Sequence, residues 1–99
     1  MRLATSQTPP HLILSGEIDF SIATDLRDSG AELARSLAPG RLDVDLGDVT
    51  FIDSSGLGAL IALRNTSREF GATLVLVRLS PAVTRFFELA GVKDSFQVE

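Results

Sequence analysis

Residues 41–60 read RLDVDLGDVTFIDSSGLGAL, and the change of pattern within this stretch decides the fold class. In the first half, apolar residues alternate with aspartate or glycine, which predicts a β-strand with one wetter face that continues through Phe51. After an acid and two serines, apolar residues recur at helical spacing, which predicts a helix over about residues 56–70. The stretch therefore predicts a strand that runs directly into a helix.

The flanking segments continue this alternation of strands and helices. Strands are predicted at about 2–6, 11–16, 42–51, 73–77 and 95–98, and helices at about 21–38, 56–70 and 81–90. Strands that alternate with helices imply right-handed crossovers and a largely parallel sheet. We expect residues 1–99 to form one α/β domain, with a mixed, mostly parallel sheet and helices packed against it.

Two segments carry more specific expectations about packing. The run Thr73–Val77 is almost entirely apolar, so its strand is expected to be covered on both faces or nearly so. Gly30 falls on the apolar face of the first helix, where glycine costs about 1 kcal/mol relative to alanine. A close approach by a neighbouring element would explain that glycine.

The composition narrows the classes of function. Lys and Arg number 9 against 13 Asp and Glu, for a formal net charge of −4. An acidic surface repels phosphate backbones and anionic lipid, so we expect no nucleic-acid or membrane partner. The absence of cysteine excludes disulfides and thiolate chemistry. No membrane-spanning run or secretory pattern is recognisable, and a cytoplasmic protein is expected.

Two serines at a strand-to-helix junction raise the question of catalysis. A catalytic serine needs a base within hydrogen-bond reach and donors for an oxyanion. The single histidine, His11, begins a predicted strand beside two prolines and is interpreted as an ordinary surface residue. The glycine that precedes the serine of a nucleophile elbow by two positions is also missing. The sequence predicts that the protein is not an enzyme.

Cofactor and metal sites are also disfavoured. The stretch SSGLG has neither the glycine spacing nor the lysine of nucleotide-binding loops. The carboxylates in and before the junction do not have the spacing of a calcium loop: Asp19, Asp43, Asp45, Asp48 and Asp53. Asp43 and Asp45 share one face of a strand, which is interpreted as a solvated surface. We expect no cofactor and no metal ion.

The junction has a structural explanation as a helix cap. If the helix begins at Ser55 or Gly56, then Ser54 or Asp53 accepts hydrogen bonds from the first-turn amides. That explains one serine, but not the second, nor a glycine where alanine is the better helix former. An exposed hydroxyl here would also suit a phosphoryl group, because free amides and the helix dipole stabilise negative charge. Both interpretations stay open at this point.

Three motifs, GEID at residues 16–19, TFIDSSGLG at 50–58 and SPAV at 80–83, lie in the order and spacing of a known family. Together they resemble the STAS domain, and more narrowly the bacterial anti-sigma factor antagonists. The match extends from about Leu12 to Phe96. The resemblance implies a mixed, partly parallel sheet with helices packed against it, and a protein that acts by binding other proteins. We expect the chain to act as a monomer.

The resemblance also implies a mechanism of partner switching. An unphosphorylated antagonist of this family binds an anti-sigma factor that is also a serine kinase, and the sigma factor is released. The kinase then phosphorylates the antagonist, which ends the complex, and a metal-dependent serine phosphatase restores it. The acceptor is the serine directly after the aspartate, here Ser54 rather than Ser55, with Asp19 beside it in the kinase contact. The implied partner-binding residues are Asp19, Asp53, Ser54, Ser55, Gly56 and Leu57.

A second interpretation within the same family keeps the fold but removes the modification. A STAS domain can bind constitutively, as a scaffold in a signalling assembly or as a subunit of a lipid-transport complex. The intact sequence Asp53-Ser54-Ser55-Gly56, with Asp19, favours the phosphorylated class, because a silent scaffold has no need of an acceptor.

Overall fold

In the computed structural model, which describes residues 2–99, five strands lie side by side in chain order. The elements are β1 (Arg2–Thr5), β2 (Leu12–Ile18), α1 (Ala23–Leu37), β3 (Arg41–Ile52), α2 (Ser54–Phe70), β4 (Thr73–Leu79), α3 (Pro81–Ala90) and β5 (Gln97–Val98), with short 3₁₀ turns at Phe20–Ile22 and Lys93–Ser95. β1 is antiparallel to β2, and all other neighbours are parallel. The predicted mixed, mostly parallel α/β sheet is confirmed.

The three helices lie on one face of the sheet. Parallel strands that follow one another in the chain are also neighbours in space, so right-handed crossovers place every connecting helix on the same side. One apolar cluster joins alternate strand residues to the helices; among its members are Leu14, Val44, Leu76, Leu26, Leu60 and Phe87. Within residues 2–99, the opposite face of the sheet is covered by no helix. Every helix in this range is too short or too polar to cross a membrane.

The helix ends follow the capping residues in the sequence. α3 begins after Ser80, whose Oγ accepts the Val83 N–H at 3.1 Å. α2 and α3 end at Gly71 and Gly91, which adopt φ values of 89° and 69° that favour glycine. α1 begins later than predicted, because a 3₁₀ turn occupies Phe20–Ile22.

Gly30 allows α1 and α2 to approach each other closely. A Cβ atom built at Gly30 would collide with Leu63 Cδ1 and lie 2.8 Å from Leu63 Cδ2. Leu63 is fully buried in the shared core. The close neighbour expected at this glycine is therefore Leu63, whose side chain fills the space that any larger residue would need.

The predicted alternation along β3 is wrong at the end of the strand. Phe51 is 48% exposed, whereas Ile52 is buried. Gly16 pairs with Val49 and the next residue, Glu17, pairs with Phe51, so one residue of β3 has no counterpart on β2. Such a bulge reverses which residues face the core, and it turns Ile52 rather than Phe51 inward.

The prediction that Asp43 is solvated is wrong, because an ion pair covers this carboxylate. Arg41 donates to Asp43 Oδ1 at 3.0 Å and contacts Glu99 Oε2 at 2.6 Å. Hydrogen bonding to Glu99, and then to Asp43, raises the pKa of Arg41 above its ordinary value. Arg41 and Asp43 lie on β3, and Glu99 follows β5, so the contact between Arg41 and Glu99 passes over β4, the strand between them. It does so on the helix-free face, where Val75 of β4 is fully buried. β4 is thus covered by helices on one face and by ion pairs on the other.

Asp45 is also buried rather than solvated, again because partners surround its carboxylate. It accepts the Gly47 N–H at 2.8 Å and pairs with Arg78 Nη1 at 3.3 Å. Arg78 has a φ of 58°, and it is the residue that the pairing between β3 and β4 skips. This left-handed bulge directs the arginine over Gly47, where any Cβ would collide with the guanidinium.

His11 is buried, which contradicts the prediction of a surface residue. Its backbone N–H donates to Asp43 O at 3.0 Å, and its Nδ1 accepts the Asp43 N–H at 3.1 Å. The histidine therefore fixes the start of β2 against β3. It lies at the opposite end of these strands from the two serines, so it has no part in their chemistry.

We predict that Gly30→Val lowers the free energy of unfolding by about 2 kcal/mol, because the branched side chain must displace buried Leu63. Arg27→Val, at an exposed position of the same helix, controls for the intrinsic cost of valine and should lower it by well under 1 kcal/mol. Urea unfolding followed by circular dichroism measures both. Equal destabilisation by the two variants would contradict close packing at Gly30.

Candidate functional site

The motifs GEID and TFIDSSGLG meet at the carboxyl edge of the sheet. Ile18 at the end of β2 pairs with Ile52 at the end of β3, so Asp19 and Asp53 leave neighbouring strands side by side. The Asp53 N–H donates to Ile18 O at 3.4 Å, which continues the ladder one residue past β3. The two acids that the sequence analysis singled out are thus brought together by strand pairing.

Asp53 is the residue that caps α2. Its backbone is extended (φ −120°, ψ −174°), and its Oδ1 accepts the Gly56 N–H at 2.9 Å. Its carbonyl accepts the Leu57 N–H at 2.9 Å as the first bond of the helix. The choice between Ser54 and Asp53 as N-cap is therefore resolved in favour of the carboxylate.

Ser54 and Ser55 occupy the first two positions of α2, and both are exposed. Within residues 2–99, neither hydroxyl makes a hydrogen bond with another protein group. The Asp53 carboxylate caps the helix, and the two hydroxyls add no further hydrogen bond to the helix start. Both are open to an approaching protein at the positive end of a 17-residue helix.

Gly56 is required because α2 begins in direct contact with the end of β2. A Cβ atom at Gly56 would lie 2.5 Å from Ile18 O and 2.8 Å from Ile18 Cγ2. Contact with a backbone carbonyl cannot be relieved by rotating a side chain. The glycine that a helix-cap interpretation left unexplained is therefore explained by packing, and the next residue, Leu57, is half-buried beside it.

Asp19 plays the same structural part at the end of β2. It caps the turn Phe20–Ile22 by accepting the Ser21 N–H at 3.0 Å and the Ser21 hydroxyl at 2.5 Å. The hydroxyl bond first, and then the backbone bond, hold the pKa of Asp19 below its ordinary value. The edge of the sheet therefore presents an ionised Asp19 beside the capping carboxylate of Asp53.

Two exposed aromatic side chains accompany these groups, and the sequence analysis did not identify them as part of the site. Phe20 follows Asp19 and is 77% exposed, and Phe51 is the outward residue of the β3 bulge. Exposed aromatic side chains next to polar groups are typical of protein-binding surfaces. We call Asp19, Phe20, Phe51, Ser54 and Ser55 the acceptor surface.

The carboxylates at this edge of the sheet accept hydrogen bonds from their own turns. No group of three or more carboxylates and histidines that could hold a metal ion occurs within residues 2–99. Each acid is engaged with amides of its own turn, and Asp53 bonds Gly56 rather than either serine. This arrangement can offer a hydroxyl to another protein, and it gives that hydroxyl no base of its own.

Comparison with known proteins points to one family. Residues 1–98 match the family model described as "Mlab, STAS domain". The chain is 34% identical over 85 residues to the anti-sigma-B factor antagonist of Bacillus subtilis, covering 86% of this chain and 76% of that protein. It is 32% identical over 85 residues to a STAS-domain containing protein of Pseudomonas aeruginosa, covering 86% and 82%.

Solved structures agree on the fold. The anti-sigma factor antagonist SpoIIAA, in its unphosphorylated form, superposes with a TM-score of 0.77 at 18% identity, covering 99% of this chain and 88% of SpoIIAA. An anti-sigma factor antagonist from Mycobacterium paratuberculosis superposes with a TM-score of 0.72 at 27% identity, covering 98% and 83%.

We predict opposite effects of alanine at two glycines of α2. Gly56→Ala should lower the free energy of unfolding by at least about 2 kcal/mol, because its Cβ meets the Ile18 carbonyl. Gly58→Ala, whose Cβ would meet nothing within 4 Å, should raise it by about 0.5–1 kcal/mol through helix propensity. Chemical denaturation measures both. A Gly56→Ala protein as stable as the wild type would contradict the contact with β2.

We predict that the stabilising effect of Asp19 depends on pH. The folded-state pKa is lowered, so the stabilisation is fully present above the unfolded-state value of about 3.9 and is lost as pH falls through the folded pKa. Asp19→Ala should therefore melt below the wild type at pH 7, and the two melting curves should converge in strong acid. Thermal melts between pH 7 and pH 2 test this, and a difference that is constant across the range would contradict it.

Proposed function

The chain belongs to the STAS domain family, and from that premise we propose that it is an anti-sigma factor antagonist that switches partners when Ser54 is phosphorylated. In the unphosphorylated state it binds an anti-sigma factor that is also a serine kinase, and the sigma factor is released. Transfer of a phosphoryl group to Ser54 ends the complex, and a serine phosphatase restores the binding form. This cycle would operate in the cytoplasm, with the protein acting as a monomer.

The observation that carries the proposal is the division of roles at the start of α2. Asp53 caps the helix, and Ser54 is exposed, with a hydroxyl that makes no hydrogen bond to any other group of residues 2–99. A side chain that a fold needs cannot be modified without cost to stability. Ser54 can be modified freely, which is the property that a regulatory acceptor requires.

The same position explains how free protein would tolerate the modification. A phosphoserine adds about −1.5 to −2 charge at neutral pH. At the first turn of α2, that charge faces amides and the positive end of the helix dipole, which stabilise it. Asp53 and Asp19 oppose it, but solvent partly screens these two carboxylates, which are only partly buried. The phosphorylated protein should therefore stay folded.

The complex would not tolerate the same charge. A partner surface shaped around a neutral hydroxyl excludes water, and burying an uncompensated charge there costs several kcal/mol. Each 1.4 kcal/mol lowers affinity tenfold. One phosphoryl group at Ser54 is therefore enough to separate the two proteins.

In this mechanism the chain is a substrate rather than an enzyme. The kinase supplies the nucleotide, the magnesium ion and the base that accepts the serine proton, because the acceptor surface has no free base beside the hydroxyl. The γ-phosphoryl group passes from ATP to Ser54 Oγ, and ADP leaves. No cofactor bound to this chain takes part.

We propose that the partner contacts the residues around the acceptor. Asp19 would present its carboxylate beside Ser54, and Ser55 would form the adjacent polar contact. Gly56 lets the helix start lie close to β2, and half-buried Leu57 would add apolar surface. Asp53 would act mainly by holding Ser54 in the first turn.

We predict that a negative charge at residue 54, and not the loss of the hydroxyl, weakens binding to the kinase. Ser54→Ala should bind within a few-fold of wild type and persist in the presence of ATP, because no charge can be added. Ser54→Glu should bind about 100-fold more weakly, because its charge is buried in the complex. Titration calorimetry against the anti-sigma factor bound to a non-hydrolysable ATP analogue measures the affinities, and intact mass with peptide mapping after reaction with ATP locates the phosphoryl group.

Two control variants sharpen this experiment. Ser36→Glu places the same charge near the far end of α1 and should bind as wild type does. Ser55→Ala should still gain one phosphoryl group per chain. A phosphoryl group on Ser55 alone would move the acceptor by one residue. Tight binding with no phosphorylation at any site would instead indicate a constitutive STAS scaffold, and equal affinity of all three residue-54 forms would refute the switch.

A further inference from the structure

A groove of about 420 Å³ lies between the end of β3 and helix α3, next to the acceptor surface. One wall is formed by residues 50–52 of β3, and the other by the α3 side chains Pro81, Arg85, Phe86 and Leu89. Leu89 is 81% exposed, so a large apolar side chain faces water at the rim. We call this feature the β3–α3 groove.

The groove exposes a strand edge that has no partner within residues 2–99. The pairing of β3 with β4 ends at Leu46 and Leu79, six residues before β3 itself ends. The Asp53 N–H points to β2, where it donates to Ile18 O. Because backbone groups alternate in direction along an extended strand, the Ile52 N–H and C=O point away from β2 and towards the groove.

The charge in the groove differs from that of the whole chain. The net charge of the protein is −4, yet no acid lines the groove, and its only charged residue is Arg85. Arg85 makes no ion pair with any other residue between 2 and 99. The lining therefore favours an occupant that combines apolar side chains with negative charge.

We propose that the β3–α3 groove binds an extended segment of the anti-sigma factor that carries apolar and acidic side chains. The inference rests on the proposed function and adds to it a docking site distinct from the acceptor. The segment pairs its backbone with Ile52 as an additional strand beside the free end of β3. An apolar side chain packs on Phe86 and Leu89, and an acidic side chain pairs with Arg85.

An extended segment fits this groove better than a helix does. A helix satisfies its own backbone bonds and would leave the Ile52 N–H without a partner once water is excluded, which costs about 1–3 kcal/mol. A strand supplies that bond, as in other cases of strand addition to a sheet edge. Because Ile52 is only two residues from Ser54, a segment docked here also holds the kinase near the acceptor and raises its effective concentration.

The first test measures binding and phosphorylation of groove variants. Leu89→Glu and Arg85→Glu should each raise the Kd for the anti-sigma factor bound to a non-hydrolysable ATP analogue at least about tenfold, since central apolar and arginine contacts contribute much of the binding energy of an interface. Their KM for phosphorylation of Ser54 should rise equally, with kcat unchanged. Val98→Glu and Arg27→Glu, which make matched changes at exposed positions outside the groove, should behave as wild type. Thermal melts verify that all four variants are folded.

The second test measures whether the Ile52 backbone N–H is hydrogen-bonded in the complex. Amide hydrogen exchange, followed by NMR, should show the Ile52 N–H protected at least about tenfold more in the complex than in the free protein. A helical occupant, or docking elsewhere, would leave this amide unchanged and overturn the inference. Wild-type binding by both groove variants would overturn it too.

The outcomes also separate this inference from the proposed function. If Ser54 is phosphorylated, but the groove variants bind as wild type does and the exchange rate of the Ile52 amide does not change in the complex, the switch is supported and the docking site is refuted. If the wild-type protein neither binds the anti-sigma factor nor gains a phosphoryl group, the switch and the docking site are both refuted.

Discussion

The structure depends on the direct contact between the start of α2 and the end of β2. At Gly56 the helix backbone lies so close to the Ile18 carbonyl that no side chain fits between them. This contact fixes where α2 begins, and the Asp53 cap fixes how it begins. The exposure of Ser54 and its position beside the end of β2 follow from these two constraints.

In the proposed switch, structural and regulatory roles therefore belong to different residues. At the carboxyl edge of the sheet, Asp19 caps the 3₁₀ turn and Asp53 caps α2. The serine hydroxyls in the first turn of α2 therefore make no hydrogen bond that stabilises the helix start. The proposed modification would alter a binding surface there without unfolding the chain. The helix dipole favours added charge in the free protein, whereas a buried interface opposes it, and a switch needs that difference.

The two faces of the sheet are stabilised in different ways. The helix side is an apolar core that joins all three helices to the strands. The other side contains Arg41 and Arg78 paired with aspartates of β3, and Val75 is fully buried on that side. The acceptor surface and the β3–α3 groove both lie at the carboxyl edge of the sheet, where β3 extends beyond β4.

The sequence by itself determined the order of strands and helices, the caps at Ser80, Gly71 and Gly91, and the motif that contains Ser54. These features are local, because periodicity and capping depend on residues only a few positions apart. The burial of His11 and Asp43, the outward turn of Phe51 and the close approach of Leu63 to Gly30 were decided by tertiary structure alone. The burial of His11 and Asp43 and the contact of Leu63 with Gly30 depend on residues that are far apart in the chain. The outward turn of Phe51 depends on a one-residue bulge in the pairing of β3 with β2. The sequence pattern of one strand does not show how that strand pairs with its neighbour.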